Sequence, residues 1–292
     1  MVDFVPAEKS VTIRQPSTAN LMIDSNDKNS ALSLTPFEFT INKPNSILNG
    51  FFTRIGVTEA VLDWCIPNIS ADNGNNTISV DISGVGGNTY NNTLTLTLTD
   101  SFYTVKQAID EIIILLNAQS GTTGATFSFS LGNSISTNSI DCSGAVFEFN
   151  DTVLAEQLDL PIDNGLDIEQ FIGTCPDIRN YRYIDFVSSQ LTYNQSLKDS
   201  STNTNVRDVL LRWYFAEDVQ EEVDAYGYPI LMGYRAFNRR RLYNPPKQIR
   251  WDSQQPIGQL SFIVYDEQGE PLGSPAGYLD TSWLMTLQVS EV

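Results

Sequence analysis

The chain has 292 residues, 35 acidic and 17 basic side chains, a formal net charge of −18, three cysteines and no histidine. Without an imidazole there is no Ser-His-Asp or Cys-His catalytic unit, and histidine-ligated zinc, copper, non-haem iron and haem sites go with it. A charge of −18 also works against a protein that grips nucleic acid by neutralising phosphates or docks on anionic membranes.

Residues 1 to about 35 show no sustained period and suit an extended arm or edge segment, with a short strand at Val11–Pro16 and a polar turn cluster from Asp24 to Ser30. Strands are expected at Phe37–Ile41 and Arg54–Trp64; the imperfect alternation of the second suggests a bulge near Gly56. After Pro67 the texture becomes Asn-, Thr-, Ser- and Gly-rich, with Lys106 the single basic residue from Asn68 to Asn150. Thr77–Ile82 and Thr93–Thr99 read as strands. Val105, Ile109, Ile112, Ile113 and Leu116 then share one helical face over Thr104 to about Asn117, where Thr104 and Gln107 have capping-box spacing. Strands at Thr126–Leu131, Ser134–Asp141 and Ala145–Asn150 and a short helix at Val153–Leu158 complete a small α+β unit.

Beyond Cys175-Pro176 the basic residues gather, eleven of the 17 lying between Arg179 and Arg250. Strands are expected at Tyr181–Gln190, Val209–Phe215, Gln248–Trp251, Gln259–Tyr265 and Ser282–Val289, with an acidic-Gly hairpin turn at Asp266–Gly269. Long aromatic-rich strands at this spacing indicate an antiparallel sandwich or jelly roll.

Asp24–Asn29 superficially resembles a calcium loop, but Lys28 occupies a ligand position and the sixth residue is not glycine. Gly84-Val85-Gly86-Gly87 has no helix behind it and reads as a hairpin turn rather than a phosphate loop. The Asn-x-Ser/Thr triplets at Asn68, Asn75, Asn91, Asn150 and Asn194 are what chance gives in such a composition. Cys65, Cys142 and Cys175 are far apart and read as reduced thiols. Met1–Pro16 lacks the apolar core of a signal peptide, and the longest apolar run, Ile112–Leu116, is far short of a membrane span. Acidic pairs such as Glu221/Glu222 and Asp266/Glu267 leave a carboxylate-based glycan enzyme as a distant alternative. The sharpest charge feature is Arg239-Arg240-Arg241, flanked by Arg235, Lys247 and Arg250 and interleaved with aromatic residues. Nucleic-acid contact is one reading; the favoured one is a loop whose arginines meet acidic surface on the same or a neighbouring subunit.

Four segments resemble the minor capsid, or penton, proteins of virophages and polinton-like viruses: Trp64–Ile69 with the turn Asn73–Thr77, the Tyr103-led helix and its following strands, Tyr183–Leu191, and Gln259–Leu272. Where that family tends to have Leu-Gly-Phe, this chain has Leu158-Asp159-Leu160-Pro161. The resemblance spans most of residues 54 to 290. It implies a mainly β fold with a single jelly roll over 36–70 and 176–292, an α+β domain inserted over 71–175, and an arm over 1–35. It implies homopentamers that close icosahedral vertices beside a major capsid protein, in a virion built in host cytoplasm, with no enzymatic activity, cofactor or metal. Arg239, Arg240 and Arg241 are then candidate subunit-interface residues, and the inserted domain a candidate surface for a host receptor or glycan. A carbohydrate- or receptor-binding module is the alternative; a major capsid protein would need a second jelly roll.

Overall fold

The structure is a computed structural model that describes residues 18–28, 35–42, 54–132, 137–192, 209–215, 223, 226–228, 235–250, 258–272 and 281–290. In chain order its elements begin with β1 (Thr18–Asp24), β2 (Glu38–Asn42), β3 (Arg54–Trp64), β4 (Thr77–Gly84), β5 (Asn91–Thr97), α1 (Val105–Ala118) and α2 (Ser120–Thr123). Next come β6 (Thr126–Ser130), β7 (Ser139–Ser143), β8 (Ala145–Phe149), α3 (Val153–Gln157) and β9 (Glu169–Phe171). The chain continues through β10 (Tyr183–Val187), α4 (Ser189–Thr192), β11 (Val209–Tyr214), β12 (Phe237–Arg250), β13 (Gln259–Tyr265) and β14 (Ser282–Ser290).

Two four-stranded antiparallel sheets, β1-β14-β3-β12 and β11-β10-β13-β2, enclose one core. Counting only these strands from the N-terminus, the first sheet runs 1-8-3-6 and the second 5-4-7-2. That is the order produced when two Greek keys fold over each other, a jelly roll. Period-2 burial supplies the core: Leu260, Phe262 and Val264 from β13 face Trp283, Met285, Leu287 and Val289 from β14. Trp283 sits at the centre, its ring 5.4 Å from Phe39, 5.0 Å from Phe186 and 5.6 Å from Phe262. Its indole N–H donates to the Pro36 carbonyl at 2.8 Å, so the one polar atom of the ring is satisfied.

In β3 the inward set changes from Ile55 and Val57 to Ala60, Leu62 and Trp64. The cause is a bulge at Thr58. Thr286 lies opposite Glu59 and Leu287 opposite Val57, so Thr58 has no opposite residue, and its hydroxyl donates to the Thr286 carbonyl at 3.2 Å. The expected bulge near Gly56 therefore lies two residues further on.

The connection from β3 to β10 builds a second hydrophobic core, walled by the sheets β5-β4-β8 and β6-β7-β9 and by α1. Thr104 caps α1 in a full capping box with Gln107. Residues 68–178 hold fourteen acidic side chains against the single Lys106, a net of −13 out of −18.

Two features tie the cores together. At the neck, Asn68 exchanges hydrogen bonds with the backbone of Tyr103, at 2.9 Å and 2.8 Å. The buried Asn75 amide donates to the Asn68 carbonyl at 2.8 Å and reaches Gln157 and Asn180, while Asn180 also donates to the Asn68 carbonyl at 2.7 Å. The outgoing chain at Pro67–Asn68 and the returning chain at Asn180 are thus fastened through side-chain amides. Further out, Tyr226 and Tyr228, from the connection between β11 and β12, pack into the second core. Tyr228 is buried and its hydroxyl accepts from Asn138 Nδ2 at 3.0 Å.

Several boundaries differ from expectation. Part of the arm read over 1–35 is edge strand β1, paired along its whole length with β14; Val11–Pro16 lies outside the described residues. The arginine-rich stretch read as a loop belongs to β12. The segment at Tyr181–Gln190 is strand only over Tyr183–Val187. Strand β9 was not expected; three residues are too few to show a period.

Candidate subunit-interface site

β12 is the last strand of the first sheet, with β3 as its neighbour there. Its residues alternate: Phe237, Arg239, Arg241 and Tyr243 are half-buried, whereas Asn238, Arg240, Leu242 and Asn244 are exposed. The register explains the division. Arg239 and Arg241 lie opposite Leu62 and Ala60, whose side chains enter the core, while Arg240 lies opposite the outward Val61. The three candidate arginines therefore do not form one cluster.

Arg241 places its guanidinium 4.2 Å from the Trp213 ring centre and donates to the Tyr214 carbonyl, both on β11. It closes the seam between the edge strands of the two sheets. Arg240 pairs with Glu59 on the outer face, its side chain 63% exposed, beside Leu242, which is 68% exposed. Arg240→Ala is expected to cost at most about 1 kcal/mol, the usual worth of an exposed ion pair. Arg241→Ala should cost more, because it loses a stacked ring and a packed stem as well as a charge. Paired urea titrations check that ordering.

On the second sheet Asp185 and Arg212 lie directly opposite each other on β10 and β11. The guanidinium grips the carboxylate with both arms, at 2.7 Å and 2.9 Å, and lies 4.0 Å from the Tyr183 ring centre. Asp185 is only 1% exposed although its neighbours Ile184 and Phe186 are the ones that enter the core, and it is paired with Arg212. The hydrogen bond to Asp185 raises the pKa of Arg212 above its already high ordinary value.

The remaining candidates have local structural roles. Asp266 accepts from the backbone N–H of Gly269 and Glu270 at 2.7 Å and 2.8 Å, and Glu267 accepts from Arg182 N–H at 3.1 Å; this pair shapes the turn after β13. Glu221 and Glu222 lie outside the described residues. Asp24 caps a single 3-10 turn through Asn26 N–H at 2.8 Å. Gly86 and Gly87 take positive φ in the turn between β4 and β5, a conformation glycine adopts without strain. Among the described residues no three His, Cys, Asp or Glu side chains converge as a metal site, and no helix is long and apolar enough to cross a membrane.

The cysteines form no disulfide and differ in access: Cys175 exposed, Cys65 intermediate, Cys142 buried. Burial pushes the Cys142 thiol up to about 11, so at neutral pH it holds its proton. Maleimide labelling followed by peptide mapping should modify Cys175 first and Cys142 only on unfolding.

No family model matches the chain, and no curated protein matches it. Among solved structures, the mavirus penton protein aligns over 96% of this chain and 100% of its own, at 15% identity and a TM-score of 0.48. A chain of the Sputnik virophage, from its cryo-EM structure, aligns over 94% of this chain and 98% of its own, at 13% identity and a TM-score of 0.44.

Proposed function

We propose that the chain is a structural capsid protein that assembles with copies of itself into rings of five, closing the vertices of an icosahedral shell beside a major capsid protein. The observation that carries this reading is the strand order 1-8-3-6 over 5-4-7-2, joined by a long connection that builds its own core. A jelly roll keeps both sheets packed and leaves broad outer faces for neighbours. The sequence resemblance described above points the same way, as does a chain with no histidine to shuttle protons.

In this reading 36–70 and 176–292 are the jelly-roll domain, 71–175 the inserted domain, and 1–35 the N-terminal arm, of which Thr18–Asp24 forms β1. Arg241 stiffens the seam at the β12 edge, and Arg240 meets the next subunit. The protein resides in the virion after synthesis in host cytoplasm, and the inserted domain is left free to meet a receptor or glycan.

Native mass of the purified chain, with its position in particles, tests the reading. A ring present at vertices is the expected result; a monomer that never enters particles overturns it. Arg240→Glu should weaken the ring without unfolding the chain.

A further inference from the structure

The chain twice builds the same three-part arrangement of a carboxylate, an aromatic ring and a cation that serves both. Lys106 pairs with Asp110 and lies 5.2 Å and 4.7 Å from the ring centres of Phe129 and Tyr226. Arg212 pairs with Asp185 and lies 4.0 Å from that of Tyr183. On the outer face of the sheet β6-β7-β9 the first two parts recur, among the described residues, without the third. There the register sets Asp141 directly opposite Glu169, and Ser139 directly opposite Phe171.

Two carboxylates facing each other across strands repel, and donors are scarce. Ser130 serves Asp141. The Ser139 hydroxyl lies 3.0 Å from Glu169 Oε1 and 3.3 Å from Asp141 Oδ1, with one hydrogen for the two. Phe171 beside them is 53% exposed. Among the described residues no basic side chain pairs with either carboxylate.

We propose that this face receives an arginine presented at the start of β12, either Arg240 or the Arg235 just before the strand, from a second copy of the chain. This rests on the self-assembling reading above and names the surface that the arginines meet. A guanidinium supplies the missing positive charge, several N–H donors in one plane, and a flat cation to lie on Phe171. The cation must come from outside 68–178, whose lone Lys106 is already engaged. Arg235 and Arg240 are exposed, Arg240 held, among the described residues, only by its surface pair with Glu59, in a stretch from 235 to 250 that has six basic residues and no acidic one. Strand and face are different surfaces, so the contact is head-to-tail, the kind that closes rings, and opposite charge sets its register.

The test uses the full-length chain and a fluorescent peptide of residues 235–243. Anisotropy should show binding that weakens at least about tenfold in the double variant Asp141→Asn/Glu169→Gln and in Phe171→Ala, the scale of one lost charge-assisted contact. It should vanish when the arginines of the peptide are replaced by alanine. A peptide that does not bind, or that binds wild type and variants alike, overturns the contact. So does equal binding of the alanine peptide. Thermal unfolding of Glu169→Gln alone, an exposed isosteric change, separates lost binding from lost fold. Sedimentation of the same proteins distinguishes the two readings: a wild-type monomer overturns both, and a ring that persists in the double variant overturns only this contact.

Discussion

Trp283→Ala is expected to lower the unfolding free energy by about 3–5 kcal/mol, the range for deleting a large buried aromatic side chain. The residue is 2% exposed and touches three rings of the opposite sheet, so the space it leaves has aromatic walls from β2, β10 and β13 that cannot all collapse inward. Trp283→Phe separates the two contributions. It keeps most of the apolar contact and removes the N–H donor, leaving the buried Pro36 carbonyl without its partner, for about 1–3 kcal/mol. Denaturant titrations should place Phe between wild type and Ala. An alanine variant within about 1 kcal/mol of wild type would show that Trp283 does not hold the two sheets together.

Arg212→Ala should be nearly as damaging, for a different reason. It takes from the Asp185 carboxylate, 1% exposed, the guanidinium that grips it with both arms, and removing one member of a buried pair costs about 3–5 kcal/mol. Replacing both partners, as Asp185→Leu/Arg212→Met, removes the stranded charge and is expected to be less harmful than Arg212→Ala alone. That inversion, a double change milder than a single one, is the signature to look for in a double-mutant cycle. If the two changes simply add, the pair is not the source of the stability.

Where periodicity and burial agree, the strands could be read from the residues. Arg54–Trp64 and Gln259–Tyr265 have the bounds their alternation gives, and α1 starts at the cap that Thr104 and Gln107 announce. The end of β12 falls in the strand expected at Gln248–Trp251, but its first part was hidden because its inward positions are occupied by Arg239 and Arg241 as well as Phe237 and Tyr243. A strand at a seam can stack arginine on a ring, so its pattern does not read as apolar and polar. β1 escaped for the reason common to edge strands: four of its seven residues are exposed, and β14 rather than its own sequence dictates its shape. The candidate site suffered similarly. Three consecutive arginines invite treatment as one patch, yet a period of two sends neighbours to opposite faces. The Asp141–Glu169 opposition joins residues 28 apart in sequence through β7 and β9, which no local pattern encodes.

The two tyrosines lent by the connection between β11 and β12 bear on how the chain can be taken apart. A fragment cut at the neck to contain only 68–178 would keep its sheets and its helix but lack Tyr228, leaving Asn138 Nδ2 without its hydroxyl partner and the second core with an unfilled volume. Anyone transplanting the acidic unit onto another scaffold would have to carry Tyr226-Gly227-Tyr228 with it, or refill the hole by redesign. The unit is contiguous in sequence everywhere except at the place where it is completed.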